Sequence, residues 1–186
     1  MAETLKVYLD TSVLIPIYIQ HEPDYNKFKK VIDECENRKI QGIVSNLVLA
    51  EFTDVIRKRC LEHQSNIGPA EMVSTSIISN TIKTTVQDTT IKVTRLIDSG
   101  ILQVCDPVIP AGFLKHVYDV GKKVTGVVKD NKNTNNSYSL TIVGQNDIQH
   151  ALIAKMLKVD KLITFDTGFA DLRLLTDFKG LHFDIR

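Results

Sequence analysis

Five short apolar runs, spaced through stretches with helical character, set the tightest limit on what this chain can fold into. Val7-Tyr8-Leu9, Gly42-Ile43-Val44, Ile101 to Cys105, Lys161 to Phe165 and Leu181 to Ile185 have the length and apolar content of buried strands. Between them the pattern reads as helix over roughly 12–20, 24–38, from Ser45 or Asn46 to about 63, 69–99, 111–123, and from Asn146 or Asp147 to Lys158, with a short helix before the last strand. Gly100 is placed to end the fourth of these helices. The Thr-, Val- and Ile-rich run from Thr81 to Thr94 weakens the helical reading within it. Runs apolar on both faces and alternating with helices predict an α/β fold, a parallel sheet covered on both sides. Functional groups of such sheets gather beyond the carboxyl ends of the strands. Asp10 and Asp166 stand at two such ends.

The chain has 186 residues, enough for one domain spanning 1–186 with a proper core. One segment differs in character. Residues 125–145 hold the polar run Asp130-Asn131-Lys132-Asn133-Thr134-Asn135-Asn136, flanked by Val124 to Val128 and Tyr138 to Val143, which predicts an inserted arm or hairpin with a turn at its tip. No apolar run approaches the roughly 18 residues of a membrane span, and the first residues do not read as a secretory signal. Cys35, Cys60 and Cys105 are far apart, odd in number and form no CxxC pair, so they are read as buried or reduced thiols of a cytoplasmic protein. The net charge of +1 neither requires nor excludes nucleic acid. Attraction to phosphate must be local, and Arg57-Lys58-Arg59 and the group Lys122, Lys123, Lys129, Lys132 are its candidates beside the plainer reading of solvated surface.

Four acidic residues stand out by position. Asp10, Asp147 and Asp166 each fit a helix cap. Glu51 does not fit so simple a role. On a helical wheel with Leu47 at zero, Val55 falls near ~80° and Glu51 near ~40°, so a carboxylate interrupts the apolar arc. A buried carboxylate must meet a cation, a donor or solvent in a cleft. Two strand ends and two neighbouring helices can bring all four acids together. Their mutual repulsion is relieved by a divalent cation, and an all-oxygen donor set suits Mg²⁺ or Mn²⁺. Metal held this way supports in-line phosphoryl displacement.

Val7-Tyr8-Leu9-Asp10-Thr11-Ser12 resembles the opening of PIN domains, and Leu47-Val48-Leu49-Ala50-Glu51-Phe52 resembles their second motif. Asn146-Asp147-Ile148-Gln149-His150-Ala151-Leu152-Ile153-Ala154 and Leu162-Ile163-Thr164-Phe165-Asp166-Thr167-Gly168-Phe169 are similar to the third and fourth. The resemblance implies a three-layer α/β/α fold whose parallel sheet has the order 3-2-1-4-5. It implies a Mg²⁺- or Mn²⁺-dependent endoribonuclease with Asp10, Glu51, Asp147 and Asp166 as metal-binding and catalytic residues, and Thr11 or Ser12 and Thr164 as polar support. RNA is then the expected partner, with a homodimer and an antitoxin as further partners, since many relatives are toxins of toxin–antitoxin pairs. The long interval between Glu51 and Asp147 departs from compact members and leaves toxin membership open.

Other chemistries fit less well. A haloacid dehalogenase-type phosphatase needs an acid where Ser12 stands, and no Walker loop or GxGxxG occurs. The histidines show no paired metal spacing. His150 lies one turn from Asp147 and is read as a surface or satisfied imidazole, with approach to the site as the alternative. Asp54 and Asp171 read as solvated charges, or as outer ligands of the site. A PIN-like scaffold that binds RNA or protein without cleaving remains the rival to the enzyme.

Overall fold

A computed structural model describes residues 4–18, 24–65, 75–124 and 143–186. Its core is a five-stranded sheet of β1 (Leu5–Leu9), β2 (Ile40–Val44), β3 (Leu102–Val104), β4 (Lys161–Thr164) and β5 (His182–Ile185). Every pairing is parallel and the order is β3-β2-β1-β4-β5, as the motif resemblance implied. The register sets Val7 against Gly42 on one side and Lys161 on the other. Consecutive residues of a strand point to opposite faces, so the complete burial of Val7, Tyr8 and Leu9 means that both faces of β1 are covered.

The covering helices are α1 (Thr11–Leu14), α2 (Tyr25–Glu36), α3 (Asn46–Ser65), α4 (Thr75–Asp98), α5 (Phe113–Val124) and α6 (Gln145–Met156). The helix expected over 12–20 is only the single turn of α1, which tightens to a 3₁₀ turn over Ile15–Ile17 at Pro16; the remainder, 19–20, lies outside the described residues. Ser45, not Asn46, caps α3: its hydroxyl accepts the Val48 amide at 3.4 Å. The Thr-rich stretch is helical after all. Thr89 and Thr90 direct their hydroxyls to the carbonyls of Thr85 and Val86 at 2.7 Å, and Thr89 and Val93 are buried. Burial and satisfied hydroxyls thus override a weak propensity. Gly100 closes α4 as expected, at φ +73°: its amide bonds to Ile97 and the Ile101 amide to Leu96, the paired bonds of a Schellman motif.

The predicted hairpin falls on 125–142, outside the described residues, and so do Lys129 and Lys132; Val124 itself ends α5. Cys35 and Cys60 are buried free thiols and Cys105 is half-buried. Burial pushes the Cys35 thiol up to about 11. No described helix is long and apolar enough to cross a membrane.

Candidate metal centre

The sheet order reverses direction between β1 and β4, and in parallel sheets the crevice for a functional site lies beyond the carboxyl ends of strands at such a point. Asp10 leaves β1 there, tied to β4 by its amide bond to the Ile163 carbonyl at 3.1 Å. It caps α1 through the Ser12 amide at 3.2 Å. The same oxygen, Oδ2, also accepts the Ser12 hydroxyl at 2.7 Å and the Thr164 hydroxyl at 3.0 Å. Ser12 and Thr164 are therefore the polar supports of Asp10, whereas Thr11 serves Glu51. Asp10 is only 4% exposed, and the contact of its Oδ1 is His150 Nε2 at 3.6 Å.

Asp147 and Asp166 follow the same rule of one occupied oxygen. Asp147, on the first turn of α6, accepts the Gly144 amide at Oδ2, 3.0 Å away. Asp166 caps the 3₁₀ turn of Thr167–Ala170 by accepting the Gly168 amide at Oδ1, 2.7 Å away. Both flank Gly168, where a Cβ would lie 3.1 Å from Asp166 Oδ1 and 3.5 Å from Asp147 Oδ2. The capping reading of these acids and the metal reading are thus compatible: a cap consumes one oxygen, and the second takes no donor among the described residues. The Asp147 carboxyl is pushed up to about 6, first by burial and then by the charges of Asp166 and Asp10, against the pull of the Gly144 amide.

Glu51 is different. Its α3 position is half-buried, as are Leu47 and Val55, the residues that flank it on the helical wheel. Oε2 accepts the Thr11 hydroxyl at 2.6 Å and lies 2.7 Å from His150 Nε2, and Oε1 accepts the Asn146 amide at 2.8 Å. These donors, His150 first, hold its carboxyl down to about 2 against the cost of burial.

His150 is 1% exposed and stands inside the site, so it is a satisfied imidazole and not a surface one. Asp10, Glu51 and His150 each offer one ligating atom within 4.8 Å of the others. Asp171 is also buried, at 8% exposure, which corrects its reading as a solvated charge; Asp54 is exposed and paired with Arg57 at 3.2 Å. Spacing along α6 did point to His150, since residues three apart share a helix face. The roles of Tyr8 and Asn146 had no comparable signal, because each depends on a tertiary neighbour.

The donor set fits a divalent cation. Asp10, Asp147 and Asp166 each have one oxygen held by the protein, and the Asp147 carboxyl is raised first by burial and then by the charges of Asp166 and Asp10, which a cation would offset. Beside Asp166 the crevice continues into a cleft of about 330 Å³ lined by Ser12, Asp24, Arg59, Phe165 and Thr167. Of the basic run noted in the sequence, Arg59 borders the site, while Arg57 and Lys58 are exposed.

A family model of the PIN domain matches residues 6–168. The chain belongs to the PIN-domain family. Two solved structures share the fold of this PIN domain. VapBC2 from Rickettsia felis, solved bound to a DNA fragment from its promoter, is 15% identical with a TM-score of 0.51, the match covering 97% of this chain and 98% of that one. VapC20 from Mycobacterium tuberculosis, described as a Sarcin-Ricin loop cleaving toxin, is 11% identical with a TM-score of 0.52, covering 91% of this chain and 96% of that one. Among curated proteins no sequence matches this one.

Proposed function

We propose that this PIN-domain protein is a metal-dependent endoribonuclease, with Asp10, Glu51, Asp147 and Asp166 as its catalytic and metal-binding residues. The observation that carries the reading is that Asp10, Asp147 and Asp166 each have one oxygen held by the protein, with Asp147 near enough to feel the charges of the other two. Mg²⁺ or Mn²⁺ would be held by Asp10, Asp147 and Asp166. Both oxygens of Glu51 already accept donors, so it would contribute through water or by exchanging its Asn146 contact. When bound, the cation supplies charge stabilisation for an in-line displacement at phosphorus and lowers the pKa of the attacking water.

The chain's own residues hold this arrangement. Ser12 and Thr164 fix Asp10, so that its free oxygen faces Glu51 and His150 without rotating. Gly144 and Gly168 present amides that fix Asp147 and Asp166. The adjoining cleft offers Arg59 for a backbone phosphate and the Phe165 ring for a base. RNA as substrate is supported by family membership and by the described activity of VapC20. The VapBC2 neighbour supports a toxin reading with an antitoxin partner, which shares this chemistry.

The decisive assay is cleavage of a labelled RNA by the purified protein in Mn²⁺ and in chelator. Wild type should cut only with the cation, leaving 5′-phosphate and 3′-hydroxyl ends. Asp10→Asn should abolish cutting while its circular dichroism is unchanged. Equal rates for Asp10→Asn and wild type, or metal binding without cleavage of any RNA, would refute the enzyme reading.

A further inference from the structure

Behind Glu51 runs a buried chain of hydrogen bonds that the metal chemistry does not itself require. Tyr8, fully buried on β1, places its hydroxyl 2.7 Å from Ser45 Oγ and 2.9 Å from His150 Nδ1. The other ring nitrogen of His150, Nε2, lies 2.7 Å from Glu51 Oε2 and 3.6 Å from Asp10 Oδ1. Ser45 in turn accepts the Val48 amide at 3.4 Å.

The direction of the chain follows from its far end. Nε2 faces two carboxylates. A lone pair there would be repelled by both, whereas a proton meets an acceptor at hydrogen-bonding distance. Nε2 therefore carries hydrogen and donates to Glu51. Nδ1 faces the Tyr8 hydroxyl at 2.9 Å, and that hydroxyl can supply its donor. Tyr8 oxygen accepts from Ser45, whose own oxygen accepts the Val48 amide. Every polar atom is used once in each capacity that this order demands. Among the described residues, Arg186 Nη1 is the buried side-chain nitrogen or oxygen left without a partner, so none of Tyr8, Ser45 or His150 is orphaned.

Resting on the metal-dependent reading, we infer that His150 is a positioning residue: locked by Tyr8 through Nδ1, it holds Glu51 through Nε2 against Asp10 and is not itself a metal ligand. Geometry alone would allow the alternative, since Asp10, Glu51 and His150 can each offer an atom to one ion. The two roles require opposite protonation of Nε2. A ligating Nε2 must present its lone pair and give up the bond to Glu51. A positioning Nε2 keeps its proton when metal arrives. Imidazoles that orient ligand carboxylates change metal affinity or activity about 10–100-fold when removed.

The test uses the full chain and has an arm independent of activity. Long-range ¹H–¹⁵N correlation spectra should show His150 protonated at Nε2, metal-free and with Mg²⁺ or Zn²⁺ added. An unprotonated Nε2 with Zn²⁺ would make it a ligand and overturn the inference. In calorimetry His150→Leu should bind Mn²⁺ about tenfold more weakly or worse, while His150→Gln, whose amide can donate to Glu51, should recover most of the loss. On RNA, His150→Leu should lower kcat and leave KM unchanged. Tyr8→Phe, which keeps the core filled, should fall between wild type and His150→Leu in Mn²⁺ affinity. Wild-type Mn²⁺ affinity in His150→Leu, or equal losses in the Leu and Gln variants, would reduce His150 to core packing. If wild type binds Mn²⁺ but cuts no RNA, the nuclease reading fails while spectra and calorimetry still decide the role of His150.

Discussion

Asp147 and Glu51 sit in one site with pKa values moved in opposite directions, and this separates what each does to stability. The folded-state pKa of Asp147 is raised from 3.8 to about 6 by burial and by the charges of Asp166 and Asp10. The native state thus holds this proton more tightly than the unfolded chain. Its contribution to stability falls as pH climbs between those values and stays at its lowest above them. Glu51 is lowered from 4.5 to about 2, so what it contributes is fully present above 4.5 and is lost only in strong acid. Between pH 5 and 7.5 the Asp147 effect therefore stands apart from that of Glu51. In chelator, Asp147→Asn should melt at a higher temperature than wild type at pH 7.5, and the gap should narrow at pH 5. Adding Mn²⁺ should raise the wild-type melting temperature and leave the variant nearly unmoved. A variant that melts lower than wild type at pH 7.5 without metal would mean that Asp147 serves the fold as a cap more than it strains it. The positions of Asp10 and Asp166 after strands, of Asp147 at a helix start and of Glu51 in an interrupted apolar arc were legible in the sequence because these are local patterns. Tyr8 and Asn146 were not, because a buried tyrosine in an apolar run looks like any other core residue until His150 is beside it.

At the level of elements, the helix ends carry information that propensity does not. Three helices close with the same pair of backbone bonds. In α2 the Lys39 amide bonds to Glu34 and the Arg38 amide to Cys35; in α6 the Val159 amide bonds to Ala154 and the Lys158 amide to Lys155. Gly100 does this in α4 without cost, but Arg38 and Lys158 adopt φ of +54° and +52° with a side chain attached. Left-handed backbone at a residue with a Cβ costs about 1 kcal/mol. Lys158→Gly, at an exposed position, should therefore stabilise the protein by about that amount in urea denaturation, with Arg38→Gly similar. No gain in either would mean that their long side chains repay the strain on the surface. The opposite change applies at β2. A Cβ on Gly42 would lie 2.8 Å from both Cys35 Sγ and Leu102 Cδ2, under a helix and beside the edge strand. Gly42→Ala should cost about 1–3 kcal/mol, read as a lower urea midpoint at unchanged slope. Gly100 was recognisable as a helix stop from its neighbours. Arg38 and Lys158 were not, since the same turn is made there against the grain of the residue type, and the β-branched run of α4 needed its packing partners to settle as helix.

For the whole molecule the proposed function poses a physical question: how a protein of net charge +1 would draw RNA toward a group of carboxylates. Long-range attraction cannot supply this; a local positive group at the rim can. Of the described part of the chain, the cleft beside Asp166 is the place where such a group meets the site, through Arg59 near the Phe165 ring. Lys27 stands on the same side, 5.7 Å from the ring centroid and paired with Asp24 at 2.6 Å. Arg59 reaches the rim because α3 is long: the helix that presents Glu51 to the crevice continues for two further turns and sets Arg59 beside β4's exit. One element thus fixes both the acid of the centre and the cation of its approach, so moving one without the other is not open to the fold. If RNA enters by this cleft, Arg59→Gln should weaken binding of a catalytically silent substrate mixture (Asp10→Asn background, Mg²⁺ present). The slope of log affinity against log salt should fall by about 1, the signature of one lost phosphate contact. Affinity for Mn²⁺ should change far less, because of the three aspartates only Asp166 shares the lining of this cleft with Arg59. A salt slope equal to that of the parent would place the RNA on another face, and the Lys122 and Lys123 pair on α5 would be the next surface to mutate.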